Sequence, residues 1–314
     1  MAKQNVRITA TVCSMVAVLI CGAIFSWFPV LHGWSSLLLT VFLAIVTGVV
    51  LWRYVLRQPN PYEDLEQAIH LNEIVPLYQP IVHSDTGELY GVEVLARWAT
   101  PEGELVSPVS FIPLAEESGL IIPLTRKLMA QVGKELPAIL TARRTPFHVS
   151  FNFTTAHIQS DTFIEDCRTF IRQFPPGIIR LTAEILEREP FEKVAALKET
   201  LALLQAHDVT IALDDFGTGY SNLNYLNALP IDLIKIDKIF INGLAENNNA
   251  IRLIDLVIDM AKSLNLKVLV EGVETSFQVD YLRQKSVDYF QGYFFSKPVA
   301  VNELALQLGK DATT

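Results

Sequence analysis

Charged side chains are absent from Ile8 to Leu51 and then recur through the rest of the chain. Pro29 and His32-Gly33 break this uncharged stretch near its middle. Each half is about 20 residues, enough to cross a hydrocarbon core roughly 30 Å thick. Trp27, Trp34 and Trp52 fall near the ends of the halves, where interfacial aromatics are favoured. After Gln58-Pro59-Asn60-Pro61, which reads as a linker, a short helix is expected from Glu63 to Leu71. Beyond it, short β-branched apolar runs alternate with segments of helical period. Strands are predicted at Val75–Val82, Leu89–Trp98, Phe147–Phe153, Ile178–Ile185, Val209–Leu213, Leu233–Asp237, Lys267–Val270 and Tyr289–Phe294. Helices are predicted at Pro123–Leu136, Ile158–Gln173, Glu192–Ala206, Ser221–Leu229, Asn249–Leu264, Ser276–Lys285 and Val301–Lys310.

This alternation predicts an α/β fold: a TIM-type (β/α)8 barrel preceded by an N-terminal transmembrane helical hairpin. The division expected is a membrane anchor over 1–57, with spans at about 8–30 and 35–53, a linker over 58–65 and a barrel over 66–314. A doubly wound open sheet is the alternative, weakened by the lack of a Rossmann or Walker glycine loop. Lys3 and Arg7 before the first span and Arg53 and Arg57 after the second place both termini and the barrel on the cytoplasmic side of the membrane. A cleaved signal peptide fits less well, because no small-residue cleavage site precedes the second apolar half. The anchor would leave only a turn, Pro29 to Ser36, on the far side, with no room for a sizeable sensor.

Net charge is −9, which argues against a nucleic-acid partner. The three cysteines, Cys13, Cys21 and Cys167, show neither metal-ligand spacing nor a disulfide framework.

The candidate chemistry lies at strand ends, where barrels build their active sites. Asp214 and Asp215 are adjacent at the end of the run Ile211-Ala212-Leu213, and Gly217 and Gly219 follow. Neighbouring carboxylates repel unless a proton or cation intervenes. Almost every other strand carries a polar residue near its end: Glu93 and Arg97, Asn152, Glu184 and Glu187, Lys235 and Asp237, Glu271, and Gln291. Charges inside apolar strands are costly unless paired or bound to metal. Carboxylates with one amide suit hard cations such as Mg²⁺ or Mn²⁺. Two such ions sharing a carboxylate would clamp a phosphoryl group and generate a hydroxide, with Lys235 offsetting charge and Arg97 gripping phosphate. Metal-dependent aldolases and enolase-type barrels use similar ligand sets, so these residues alone leave the reaction open.

The motifs resemble those of EAL-domain cyclic-di-GMP phosphodiesterases. They are Glu93-Val94-Leu95-Ala96-Arg97, Asp214-Asp215-Phe216-Gly217-Thr218-Gly219, Lys235-Ile236-Asp237, Glu271-Gly272-Val273-Glu274 and Gln291-Gly292-Tyr293-Phe294-Phe295-Ser296-Lys297-Pro298. The resemblance spans about Glu66 to Leu308. It implies hydrolysis of cyclic-di-GMP to linear pGpG with two metal ions per site. By position it implies Glu93, Asn152, Glu184 and Asp214 around one metal, and Asp214, Asp215 and Glu271 around the other. Glu93, Lys235 and Glu271 would be catalytic, with Lys235 positioning water and Glu271 acting as base. Gln79, Arg97 and Gln291 would meet the substrate, and Glu187 would support the loop from Phe216 to Leu223. A homodimer through the barrel is also implied, alongside inner-membrane lipid as a partner. Val94 departs from the family's alanine and Leu186 from a common threonine. A non-catalytic cyclic-di-GMP receptor or signalling module is the alternative function.

Overall fold

The computed structural model of the chain describes residue 42 and residues 44–48, 60–100, 103–141, 143, 145–186, 194–217, 223–244 and 248–311. By backbone contacts the chain divides into two units, Met1–Glu63 and Asp64–Thr314. The expected membrane hairpin lies outside the described residues, apart from residue 42 and residues 44–48, which are helical and exposed. Among the described residues no helix is long and apolar enough to cross a membrane.

The second unit is a closed barrel. Its strands are β1 (Ile74–His83), β2 (Leu89–Ala99), β4 (Phe147–Phe153), β5 (Ile179–Leu186), β6 (Thr210–Phe216), β7 (Leu233–Ile236), β8 (Lys267–Val270) and β9 (Tyr289–Gln291), and the short β3 (Leu105–Val106) hangs on β2. β1 pairs with both β2 and β9, which closes the ring. From β2 onward the barrel strands run parallel, but β1 runs antiparallel to both neighbours. The ring is therefore TIM-type with one strand reversed. The cause is the connection after His83: the chain turns at once, with Gly87 N–H on the His83 carbonyl and Gly87 at φ 75°. Parallel strands need a crossover of a dozen or more residues, and residues 84–88 permit only a hairpin.

Two further differences have local causes. The helix expected over Ile158–Gln173 is two, Thr155–Ile158 and Phe163–Ile171. Ser160 caps the first turn by donating its hydroxyl to the His157 carbonyl, and this polar cluster competes with helix continuation. An unanticipated helix, Pro108–Glu117, carries Pro113 inside it.

Period-two alternation sorts the barrel strands into two faces. The outward residues Val149, Phe151, Leu181, Ile185, Ile211, Ile234, Ile236 and Val268 join the main core. Helix Ile121–Glu135 adds Leu124, Leu128 and Val132, spaced by four, to the same core. Inside the ring, Ile81, Ala212, Leu233 and Leu269 form a small apolar floor, with Tyr90 and Tyr289 packed against it. The next inward residues up these strands are polar.

At the opposite mouth from those polar residues, Tyr90 stacks on Tyr289 and on His148, at centroid separations of 3.9 and 4.0 Å. The Tyr90 hydroxyl lies 2.9 Å from His148 Nδ1. Burial, with Arg180 and His83 nearby, pushes the His148 imidazole down to about 3. Its unfolded value is near 6.5, so the folded state favours the neutral ring. The stability this contributes is full above pH 6.5 and is lost as pH falls toward 3. His148→Gln is expected to flatten the acid limb of the stability curve across that window, read by urea melts at successive pH values. An unaltered slope would contradict a neutral buried His148. Gly91 pairs with His148 of β4, and a Cβ there would sit 2.3 Å from the His148 carbonyl oxygen. Gly91→Ala is expected to cost about 1–3 kcal/mol in the same urea assay.

Candidate active site

The parallel strands β2 and β4–β9 run toward one rim of the barrel and carry polar side chains there. β2 supplies Glu93, β4 Asn152, β5 Glu184, β6 Asp214 and Asp215, β7 Lys235, the residue after β8 Glu271, and β9 Gln291. Strand register sets their height. Glu93 pairs with Ser150, Asn152 with Glu184, and Lys235 with Leu269.

Lys235 is the hub. Only 1% of its side chain is exposed, and its Nζ lies 2.8 Å from Glu184 Oε2 and Glu271 Oε1, 3.2 Å from Asp214 Oδ1 and 3.4 Å from Glu93 Oε2. Two amides complete the shell of Glu93. Asn152 Nδ2 donates to Oε1 at 2.8 Å and Gln291 Nε2 to Oε2 at 2.7 Å. Glu93 is buried, which opposes ionisation, but Lys235 and these two amides reverse that and hold its carboxyl below the usual range. Burial pushes Glu184 well up and Asp214 up, despite Lys235. Burial likewise lifts Glu271 to about 8. Burial lowers the Lys235 ammonium, but Asp214, Glu184, Glu271 and Glu93 outweigh it and keep the lysine well above its ordinary value. One ammonium does not balance four carboxylates, so the cluster demands protons or further cations.

The residues fit divalent metal. Oxygens of Glu93, Glu184 and Asp214 come together within 4.8 Å, and so do those of Asp214, Asp215 and Glu271, with Asp214 common to both. Asn152 is exposed and spends its amide nitrogen on Glu93, and its side-chain carbonyl oxygen is a further oxygen donor next to that carboxylate. Gln291 Oε1 is buried without a hydrogen-bond partner, an acceptor set beside Glu93. All-oxygen donor sets of this kind match hard cations.

The two aspartates need a special backbone. Adjacent residues of a regular strand point to opposite faces. Here the β6–β7 register shifts between Leu213 and Phe216, and Asp215 has φ 55°. That left-handed residue turns the second carboxylate back toward the first. Asp is among the few side chains that tolerate it, at a cost of about 1–2 kcal/mol. Asp215 N also donates to Asp214 Oδ1 at 2.8 Å. Gly217, at φ 88°, follows, and a Cβ there would lie 2.2 Å from the Phe240 ring.

The structure thus brings together Glu93, Asn152, Glu184, Asp214, Asp215, Lys235, Glu271 and Gln291. Gln79 stands opposite Glu93 in the β1–β2 pair, half-buried. Arg97 lies farther along β2, and its Nη1 donates to the Ala96 carbonyl at 2.8 Å. Burial lowers Arg97 while Tyr293 and Glu93 oppose it, so these side chains share one electrostatic neighbourhood. Tyr293 was not among the expected site residues. It is 57% exposed, and Lys297 Nζ sits 5.5 Å from its ring centroid. Its position two residues after Gln291 was the available signal. Glu187 and residues 218–222 lie outside the described residues.

Asp215→Gly is expected to raise stability by about 1 kcal/mol, because glycine adopts φ 55° without strain. The same change is expected to weaken Mn²⁺ binding measured by calorimetry. A variant that binds Mn²⁺ as tightly as the parent would remove Asp215 from the ligand set.

The EAL domain family matches residues 62–298. A probable cyclic di-GMP phosphodiesterase of Escherichia coli K12, PdeG, is 43% identical over 282 residues, covering 90% of this chain and 56% of that protein. The cyclic di-GMP phosphodiesterase PdeL of the same organism is 36% identical over 241 residues, covering 77% of this chain and 67% of PdeL. Among solved structures, the PaMucR phosphodiesterase in complex with c-di-GMP superposes with TM-score 0.72 at 31% identity, over 78% of this chain and all of that one. The chain spans little more than half the length of PdeG. With the barrel, the rim carboxylates and this match over three-quarters of its length, the chain belongs to the EAL domain family.

Proposed function

We propose that this chain hydrolyses cyclic-di-GMP to linear pGpG, using two Mg²⁺ or Mn²⁺ ions held at the barrel rim. The observation that carries this reading is the pair of oxygen clusters that share Asp214. Glu93, Asn152, Glu184 and Asp214 would hold one ion, and Asp214, Asp215 and Glu271 the other. Bound ions would supply a nucleophilic hydroxide at neutral pH and neutralise phosphoryl charge.

The chain's own residues do the rest. Glu271, lifted to about 8 by burial, accepts a proton from the attacking water at neutral pH only where cations bring its value down. Lys235 offsets charge that builds on the phosphoryl oxygens. Arg97 binds a phosphate oxygen, and Gln79 and Gln291 orient the substrate at the rim. Glu187 supports the loop after the aspartate pair. Residues 1–57 anchor the chain in the inner membrane with the barrel in the cytoplasm, and two barrels pair as a homodimer. The support for the anchor is the uncharged stretch from Ile8 to Leu51.

The test is turnover of cyclic-di-GMP by the purified full chain with Mg²⁺ or Mn²⁺, and with Ca²⁺ as a contrast. Formation of pGpG with the smaller ions is expected. Glu93→Ala, with its fold verified by circular dichroism, is expected to lower kcat by at least about 10²-fold. Tight binding of cyclic-di-GMP without product in any of these ions would instead identify a receptor.

A further inference from the structure

We propose that Lys235 is an internal cation that competes with divalent ions for the same carboxylate oxygens, and so sets how tightly this chain loads metal. The inference rests on the metal-dependent reading above. Lys235 touches Glu184, Asp214, Glu271 and Glu93, which include every buried carboxylate of the two candidate ligand groups. Other donors crowd the same oxygens. Asp214 Oδ1 takes both Lys235 and the Asp215 N–H, and Glu93 Oε2 takes both Lys235 and Gln291.

An ammonium 2.8 Å from an oxygen and a divalent ion on that oxygen repel each other strongly in a water-poor site. The lysine has no solvent to retreat to, being 1% exposed on β7, whose residues are buried throughout. Its four-carbon stem lets Nζ swing, but not leave the barrel. Loading therefore proceeds with Nζ drawn away from Glu184 Oε2 and Asp214 Oδ1, and the lost ion pairs subtract from metal affinity. In return, the lysine holds the four carboxyl groups together whatever the metal supply. The residue is thus a positioning residue for the ligands and a brake on their occupancy.

The experiment is calorimetric titration of the full chain with Mn²⁺, paired with thermal melts with and without Mn²⁺. Lys235→Met removes the charge, and Lys235→Gln removes the charge but keeps two N–H donors. Lys198→Met makes the same charge change at an exposed residue of helix Val194–Gln205. Both Lys235 variants are expected to bind Mn²⁺ at least tenfold more tightly than the parent, with lower metal-free Tm and a larger Tm gain on adding Mn²⁺. Lys198→Met is expected to match the parent. An unchanged or weaker Kd in folded Lys235→Gln overturns the proposal. Should neither Lys235 variant fold, the parent labelled with ¹⁵N-lysine decides the matter: the Lys235 Nζ resonance moves on Mg²⁺ loading if the lysine yields its partners, and an unmoved resonance overturns competition. A parent chain that binds neither Mn²⁺ nor Mg²⁺ defeats the metal-dependent reading itself, a result distinct from equal affinities.

Discussion

A lysine ammonium buried among four carboxylates is the interaction on which the rest of this barrel depends. Taking charges out of water is costly, and an ion pair recovers that cost only when geometry is good and remaining lone pairs are satisfied. Here the geometry comes from the sheet. Parallel strands end at one level, their inward residues alternate, and register puts Glu184 beside Asn152 and Lys235 beside the β8 strand. The apolar floor below excludes water on one side. The rim above stays open, so Glu271 is 21% exposed at the side chain while Glu184 is 1% exposed. That gradient, from sealed floor to open rim, gives the cluster a buried half and an accessible half.

The aspartate pair shows a second kind of compromise. A straight β6 would send Asp214 and Asp215 to opposite faces. The register shift and the positive φ of Asp215 bring both to the rim. Strained backbone of this sort persists only where its surroundings fix it. Gly217 packed against Phe240 and the Asp215 N–H on Asp214 provide that fixing.

Much of the fold and the site was legible in the sequence for one reason: single polar residues inside short apolar strands have few physical justifications. Glu93, Glu184, Asp214, Lys235 and Glu271 all fell within or just after expected strands, and the structure gathers them. The reversed β1 was not read, although the short span between Val82 and Leu89 contained the information. The break at residues 159–162 escaped because Gln159-Ser160-Asp161-Thr162 contains neither glycine nor proline, and Ser160 acts only through a local side-chain bond. Helix Pro108–Glu117 was hidden by Pro113, which discourages a helical reading of its second half. The fourfold contact of Lys235 was illegible because it depends on strand spacing in three dimensions. The left-handed turn at Asp215 was equally hidden, since aspartate, unlike glycine, does not announce it.

The reversed first strand also changes where the chain joins the ring. Ile74 opens β1 opposite Trp98, at the end of β2 that carries the rim residues, and β1 then descends toward the aromatic mouth. In an all-parallel barrel the first strand would rise from the closed end. Here helix Pro61–Leu71 leads into the barrel on the reactive side, three residues ahead of a strand that contains Gln79. A pull or twist on the polypeptide ahead of Ile74 is therefore applied at the lip of the reaction chamber, with the whole depth of the barrel between it and the Tyr90–His148 stack.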